Sequence, residues 1–145
     1  MRRTSAASLT LLAALTVAAL PAPAVERWMT ESELSEAFSG KTLDGAYQSG
    51  RTFTETYRQD GRLRYRDDGR ASDGHWSVTA GTFCTIYDDD PTGGCFRVHR
   101  EGANCFEFYF VARTEEQAKT PHGPSWTARA WISGVKSTCV DGANV

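Results

Sequence analysis

The chain has 145 residues, with 16 Lys and Arg against 18 Asp and Glu, a formal net charge of −2. That length suits one domain rather than two, and the slightly acidic balance argues against a general binder of nucleic acid or of anionic membrane surfaces. Thirteen glycines and an aromatic share of 11% fit a folded, turn-rich domain rather than a disordered chain.

Taken from its start, the sequence opens with Arg2 and Arg3, then an apolar stretch from Ala6 to Leu20, then Pro21-Ala22-Pro23-Ala24 with small residues at Ala22 and Ala24. This is the layout of a secretory signal peptide cleaved near Ala24, giving a leader of 1–24 and a single domain of 25–145. The apolar run is shorter than a bilayer span requires and lacks a positive flank after it, so no stable membrane insertion is expected. Taking Arg2 and Arg3 from the 16 basic residues leaves 14 against 18 acidic ones, a mature net charge of about −4. The expected location is the periplasm or the secreted fraction.

The mature chain begins with a helix signal. Thr30 and Glu33 form a capping box, Met29 and Leu34 fit the hydrophobic staple, and Gly40 suits the C-terminal cap. Leu34, Ala37 and Phe38 make one apolar stripe, so a helix of about two turns is expected.

From residue 42 the period changes to two. Thr52–Tyr57 alternates, Asp60-Gly61 centres a hairpin turn, and Arg62–Arg66 alternates again. Gly74–Thr79, Thr82–Tyr87, Gly94–His99, Cys105–Val111 and Trp126–Val135 are the further expected strands, with loops at Asp88–Gly93 and over 115–124. Seven or eight short strands joined by tight turns predict an all-β fold. The expectation is a small antiparallel barrel, a lipocalin-like meander with a short N-terminal helix; a sandwich is the other arrangement such strands allow.

Cys84, Cys95, Cys105 and Cys139 all follow the leader, and in an oxidising compartment an even number reads as structural disulfides. Four cysteines allow three connectivities. The symmetric placement of Cys84 and Cys95 about a hairpin turn favours Cys84–Cys95 with Cys105–Cys139. There is no Cys-x-x-Cys, and His75, His99 and His122 are not spaced with the cysteines as zinc ligands are, so no metal and no cofactor are expected.

Asp88, Asp90 and Thr92 with Gly93 match half of a calcium loop, but His99 stands where a bidentate Glu is required, and the flanks read as strands. Arg62, Arg64 and Arg66 share one strand face, which reads as an anion-binding stripe or as a charged face that guards a sheet. No nucleophile and base are placed together, so an enzyme is not expected. Tyr65, Trp76 and Trp131 are the candidate ligand-binding residues, as the lining of a barrel that holds one small molecule; large aromatics also serve simply as core.

The segments Phe38-Ser39-Gly40-Lys41-Thr42, Thr52–Tyr57 with Asp60-Gly61, Gly74-His75-Trp76-Ser77-Val78, and Cys84 with Cys95-Phe96-Arg97-Val98 together resemble a family of short exported bacterial proteins of unknown function. The resemblance covers roughly residues 30–100 and implies a periplasmic β-rich domain, with no activity to carry over. Cys105, Cys139 and the aromatic strand after Cys105 depart from its simplest form. A looser likeness is to periplasmic barrel inhibitors of proteases or lysozymes. The expected function is therefore non-enzymatic binding of a small apolar ligand or an envelope protein, with inhibition of a protease or lysozyme as the alternative.

Overall fold

The computed structural model describes residues 28–112 and 126–139. Within them a helix, α1 (Glu31–Phe38), precedes eight strands: β1 (Lys41–Tyr47), β2 (Thr52–Tyr57), β3 (Arg62–Arg66), β4 (Ala71–Thr79), β5 (Thr82–Tyr87), β6 (Asp90–Arg100), β7 (Phe106–Val111) and β8 (Ala128–Ile132). Each strand pairs antiparallel with the next, and β8 returns to β1, so the sheet closes into a barrel with no free edge. This meander is the expected fold. The leader over 1–24 and the polar loop over 115–124 lie outside the described residues.

The helix starts where its capping residues dictate. The Thr30 side chain accepts from the Glu33 N–H, and the Glu33 carboxylate accepts from the Thr30 N–H at 2.8 Å. Its apolar stripe is the plug of the barrel: Leu34 and Phe38 are fully buried. The Phe38 ring meets Phe83 and Phe106 edge-on, each at 5.0 Å, and lies over Phe108 at 5.7 Å. Gly40, at φ +73°, then turns the chain into β1, donating its N–H to the Tyr57 carbonyl.

Antiparallel alternation fixes what each end of the barrel carries. The α1 end holds the turns after β2, β4 and β6; the opposite end holds those after β1, β3, β5 and β7. Inward-facing side chains follow the period of two: Leu43, then Phe53 and Tyr57, Leu63 and Tyr65, Phe83, Phe106 and Phe108 are buried. At roughly 2 kcal/mol for each large apolar side chain removed from water, this single inner layer dominates the stability.

Three strands differ by more than one residue from the sequence expectation. β4 begins at Ala71, because Ala71 pairs with Arg66 and the turn before it is tight. The expected loop Asp88–Gly93 shrinks to Asp88-Asp89, because Asp90 already pairs with Tyr87 and starts β6. The register shifts between Thr85 and Tyr87, and Gly93 absorbs it at φ +55°, where a Cβ would lie 2.4 Å from the Thr85 carbonyl oxygen. Finally, β8 covers Ala128–Ile132 rather than Trp126–Val135. Beyond it the chain turns at Ser133-Gly134 and is held by buried Asn104, which accepts from the Ile132 N–H at 2.8 Å and donates to the Val135 and Lys136 carbonyls at 3.2 Å.

The disulfides are Cys84–Cys95 and Cys105–Cys139. Cys84 and Cys95 are directly opposed in the β5–β6 ladder. Cys105–Cys139 spans a sequence separation of 34 and ties the C-terminal segment to the start of β7. Loop-closure entropy assigns them roughly 3 and roughly 4 kcal/mol respectively. Such bonds indicate an oxidising, extracytoplasmic environment. No helix among the described residues is long and apolar enough to cross a membrane.

Candidate functional site

Phe38 fills the α1 end of the barrel, but no comparable plug occupies the other half. A cavity of about 210 Å³ remains there, bounded by Tyr47, Phe53, Tyr87, Phe96, Phe108 and Phe110 and reaching Asp90 and Gly94. Its floor is the aromatic layer beneath, Tyr57 and Phe83, against which Phe38 packs from below. Small inner residues leave the space open. The Phe53 ring lies so close over Gly45 that a Cβ there would fall 2.3 Å from it, and Ala128 presents only a methyl group.

In this apolar wall stands one carboxyl. Glu55 is on β2 between Phe53 and Tyr57, on the same inward face, and is only 5% exposed. The Tyr57 hydroxyl donates to its Oε2 at 2.7 Å and the Tyr87 hydroxyl to its Oε1 at 2.8 Å. Burial, opposed only in part by these two hydrogen bonds, pushes the Glu55 carboxyl up to about 7. Burial and the neighbouring Glu55 likewise raise the Tyr57 and Tyr87 phenols well above their usual range.

A second chain of hydroxyls lies beside it. Tyr47 and Tyr65 hydroxyls are 3.1 Å apart, and Tyr65 donates to Asp67 at 2.9 Å. At the rim, Arg70 forms a two-pronged pair with Asp89 at 2.7 and 3.0 Å, and Ser72 also donates to Asp89. These contacts hold the Asp89 carboxyl down to about 2. The Arg70 guanidinium lies over the Tyr87 and Tyr65 rings at 5.1 and 5.6 Å. Asp89, which lies between the calcium-loop positions Asp88 and Asp90, is thus held by Arg70 and Ser72, while Asp90 borders the cavity.

The three candidate ligand residues do not converge. Tyr65 faces inward, 3% exposed, and stacks on Phe53 at 6.0 Å beside the cavity wall. Trp76 faces inward near the α1 end, stacked on Phe83, with its indole N–H donating to the Arg58 carbonyl at 2.8 Å. Trp131 must be corrected: it points out of the barrel, where it borders an outer groove with Asp44, Thr54 and Arg66. On β8 it is Ala128 and Ala130 that face in, opposite Phe108 and Phe106, whose rings take the room. The residues that make the cavity polar, Glu55, Tyr57 and Tyr87, were missed. The signal was present, since Phe53, Glu55 and Tyr57 are two apart in an alternating strand, which puts the acid on the apolar face.

The outer wall carries a second polar cluster. Glu107 is 5% exposed although it faces outward. Arg129 donates to its Oε1 through Nε and Nη2 at 2.7 and 2.6 Å, and Tyr109 donates to its Oε2 at 2.9 Å. His99 Nδ1 lies 3.5 Å from Glu101 and 3.7 Å from Glu107, so these three donors fall within 4.8 Å of one another. Glu107 is already paired with Arg129, an ion pair that ties β7 to β8. Trp28 covers the cluster, bridging to His99 and meeting Tyr109 edge-on at 5.1 Å. Arg62, Arg64 and Arg66 are exposed on the outer face of β3, with Arg64 paired to Asp73 at 3.2 Å. His75 is exposed on the outer face of β4, and His122 lies outside the described residues.

No protein-family model matches the chain, and no curated protein matches it either.

Proposed function

We propose that the protein is a non-enzymatic binding barrel that holds one small molecule in its interior, exported through the leader at 1–24 and working in the periplasm. The observation that carries the reading is the cavity of about 210 Å³ in the half of the barrel that α1 does not fill. An engineered apolar cavity of about 150 Å³ takes up benzene, so this space suits a ligand of one ring with a short substituent. Walls of aromatic side chains with a few convergent polar groups are the usual form of such a site. The two disulfides support residence in an oxidising compartment. Binding rather than catalysis is favoured by the site's chemistry: its buried carboxyl is held by two phenols of raised pKa, and His75 and His99 lie on the outer face.

Inhibition of a protease or lysozyme, the alternative from sequence, calls for a presented loop. The acidic turn between β5 and β6 is exposed at Asp88 and Asp89, but the Asp89 carboxylate is already engaged by Arg70 and Ser72. The test is ligand-observed NMR with toluene, indole and phenol on the oxidised protein and on Thr85→Phe, which fills the cavity. Saturation transfer to the native protein that Thr85→Phe abolishes is the expected result. Transfer that survives the filled cavity, or none for any compound, refutes the reading.

A further inference from the structure

We propose that the ligand of this cavity is a small organic cation, an amine carried on a single aromatic or aliphatic body, with its ammonium group against Glu55. The inference rests on the binding reading above and deepens it. It begins with an imbalance of charge: a carboxylate taken out of water is tolerated when an opposite charge meets it. Among the described residues no Lys, Arg or His side chain pairs with Glu55; its partners are the hydroxyls of Tyr57 and Tyr87. Two cations beside the inner tyrosines are turned to other acids, Arg70 to Asp89 at 2.7 Å and Arg51 to Asp67 at 3.7 Å.

The hydrogen bonding is unfinished in the same sense. An ionised carboxylate offers about four acceptor positions, and two are used, which leaves room for an N–H donor from within the cavity. The surroundings are those an ammonium favours. Tyr47, Phe53, Tyr87, Phe96 and Phe108 present ring surfaces to the space, and a cation within about 6 Å of a ring centroid is attracted to its face. Asp90 also borders the cavity. An anionic ligand would meet the Glu55 carboxylate, and a neutral hydrocarbon would leave the Glu55 charge unanswered.

The titratable groups facing Glu55 are Tyr57 on its own strand, Tyr47 on β1, Tyr65 on β3, Tyr87 on β5 and Asp90 on β6. The phenols all stay protonated through neutral pH. Glu55 therefore sets the pH dependence: an ammonium favours the carboxylate, so binding weakens as pH falls below about 7 and is accompanied by proton release there.

Isothermal titration of the oxidised protein with 2-phenylethylamine, n-propylbenzene and 3-phenylpropionate tests this, in two buffers of different ionisation enthalpy between pH 5 and 8. At pH 8 the amine is expected to bind at least about tenfold tighter than the hydrocarbon, and the carboxylate not at all. The amine's advantage should shrink toward pH 5, and Glu55→Gln should erase it. Equal or tighter binding of propylbenzene or of phenylpropionate at pH 8, or an amine affinity that does not change with pH, overturns the cation while leaving the binding barrel standing. Failure of all three to bind overturns both. Should Glu55→Gln not fold, the native protein's pH profile and the choice among the three compounds decide the matter.

Discussion

Replacing Glu55 by Gln should make the protein more stable at alkaline pH while leaving it nearly unchanged in acid. The carboxyl ionises at about 4.5 in an open chain and at about 7 in the fold. Its folded value is the higher one, so the proton stabilises the native state. That stability is fully present below about 4.5 and is lost as pH rises through about 7. At about 1.4 kcal/mol per pH unit, the ionised fold above pH 8 carries a penalty of about 3 kcal/mol. Glutamine is isosteric, keeps an acceptor for one tyrosine and a donor for the other, and cannot ionise. For a domain of this size 3 kcal/mol corresponds to roughly 10 °C in melting temperature. Urea unfolding of both proteins at pH 4, 6, 8 and 9, with disulfides intact, measures the difference. Asp89, held down to about 2 by Arg70 and Ser72, destabilises both proteins alike in strong acid and cancels. Parallel profiles of the two proteins across this range would refute the reasoning, as would a wild type that gains on the variant above pH 7.

Phe38→Ala should cost about 3–5 kcal/mol in urea unfolding, because it removes the ring packed on Phe83, Phe106 and Phe108 at the plugged end; a loss below about 1 kcal/mol would mean that α1 is not a plug. Asn104→Ala should cost about 2–3 kcal/mol and expose the chain after Ile132 to limited proteolysis, since one side chain satisfies an N–H and several carbonyls there. An unchanged cleavage pattern would contradict that role. Ala80 sits at φ +51° in the β4–β5 turn, followed by Gly81 at φ +71°. Ala80→Asn, which completes the favoured Asn-Gly pair, should gain about 0.5–1 kcal/mol, and a lower melting temperature would contradict the turn assignment. In an alkaline titration followed at 295 nm, Tyr47, Tyr57, Tyr65 and Tyr87 should resist ionisation until the fold opens; all five tyrosines titrating together near pH 10, with near-ultraviolet dichroism retained, would show that the inner hydroxyls are accessible.

Much of the architecture was legible because it rests on local chemistry. The capping box at Thr30 and Glu33, the turn at Asp60-Gly61 and the alternation of Thr52–Tyr57 need no distant partner, and each stands where the sequence put it. Cys84 and Cys95 could be paired because a hairpin sets their register. What a single sequence leaves undetermined is the phase of a strand whose small residues face the core. In β8 Trp131 looks like the buried residue and Ala130 like the exposed one. The order is reversed because Phe106 and Phe108 on β7, with Phe38 behind them, already fill the volume opposite. A shift of one position flips every side chain. The start of β6 was hidden for a related reason, since Asp88–Gly93 has the composition of a loop and is strand only because Tyr87 pairs with Asp90.

Glu55 breaks the pattern of its strand, and its neighbours compensate for it only in part. An apolar residue at that position would complete the inner layer and remove the alkaline penalty. Instead the acid is pinned by two phenols, so its carboxyl is oriented before any ligand arrives and has lost most of its contact with water. A group of this kind costs stability in the empty barrel and returns it when an opposite charge enters, which couples ligand affinity to the strain of the unliganded state. The rest of the molecule is built to bear such a cost. Two disulfides, a closed sheet without edges and a helix plug that saturates one end hold the barrel together, leaving the other half free to be imperfectly packed. On this argument the cavity and its buried acid are one device, and relieving either should strengthen the fold while weakening the site.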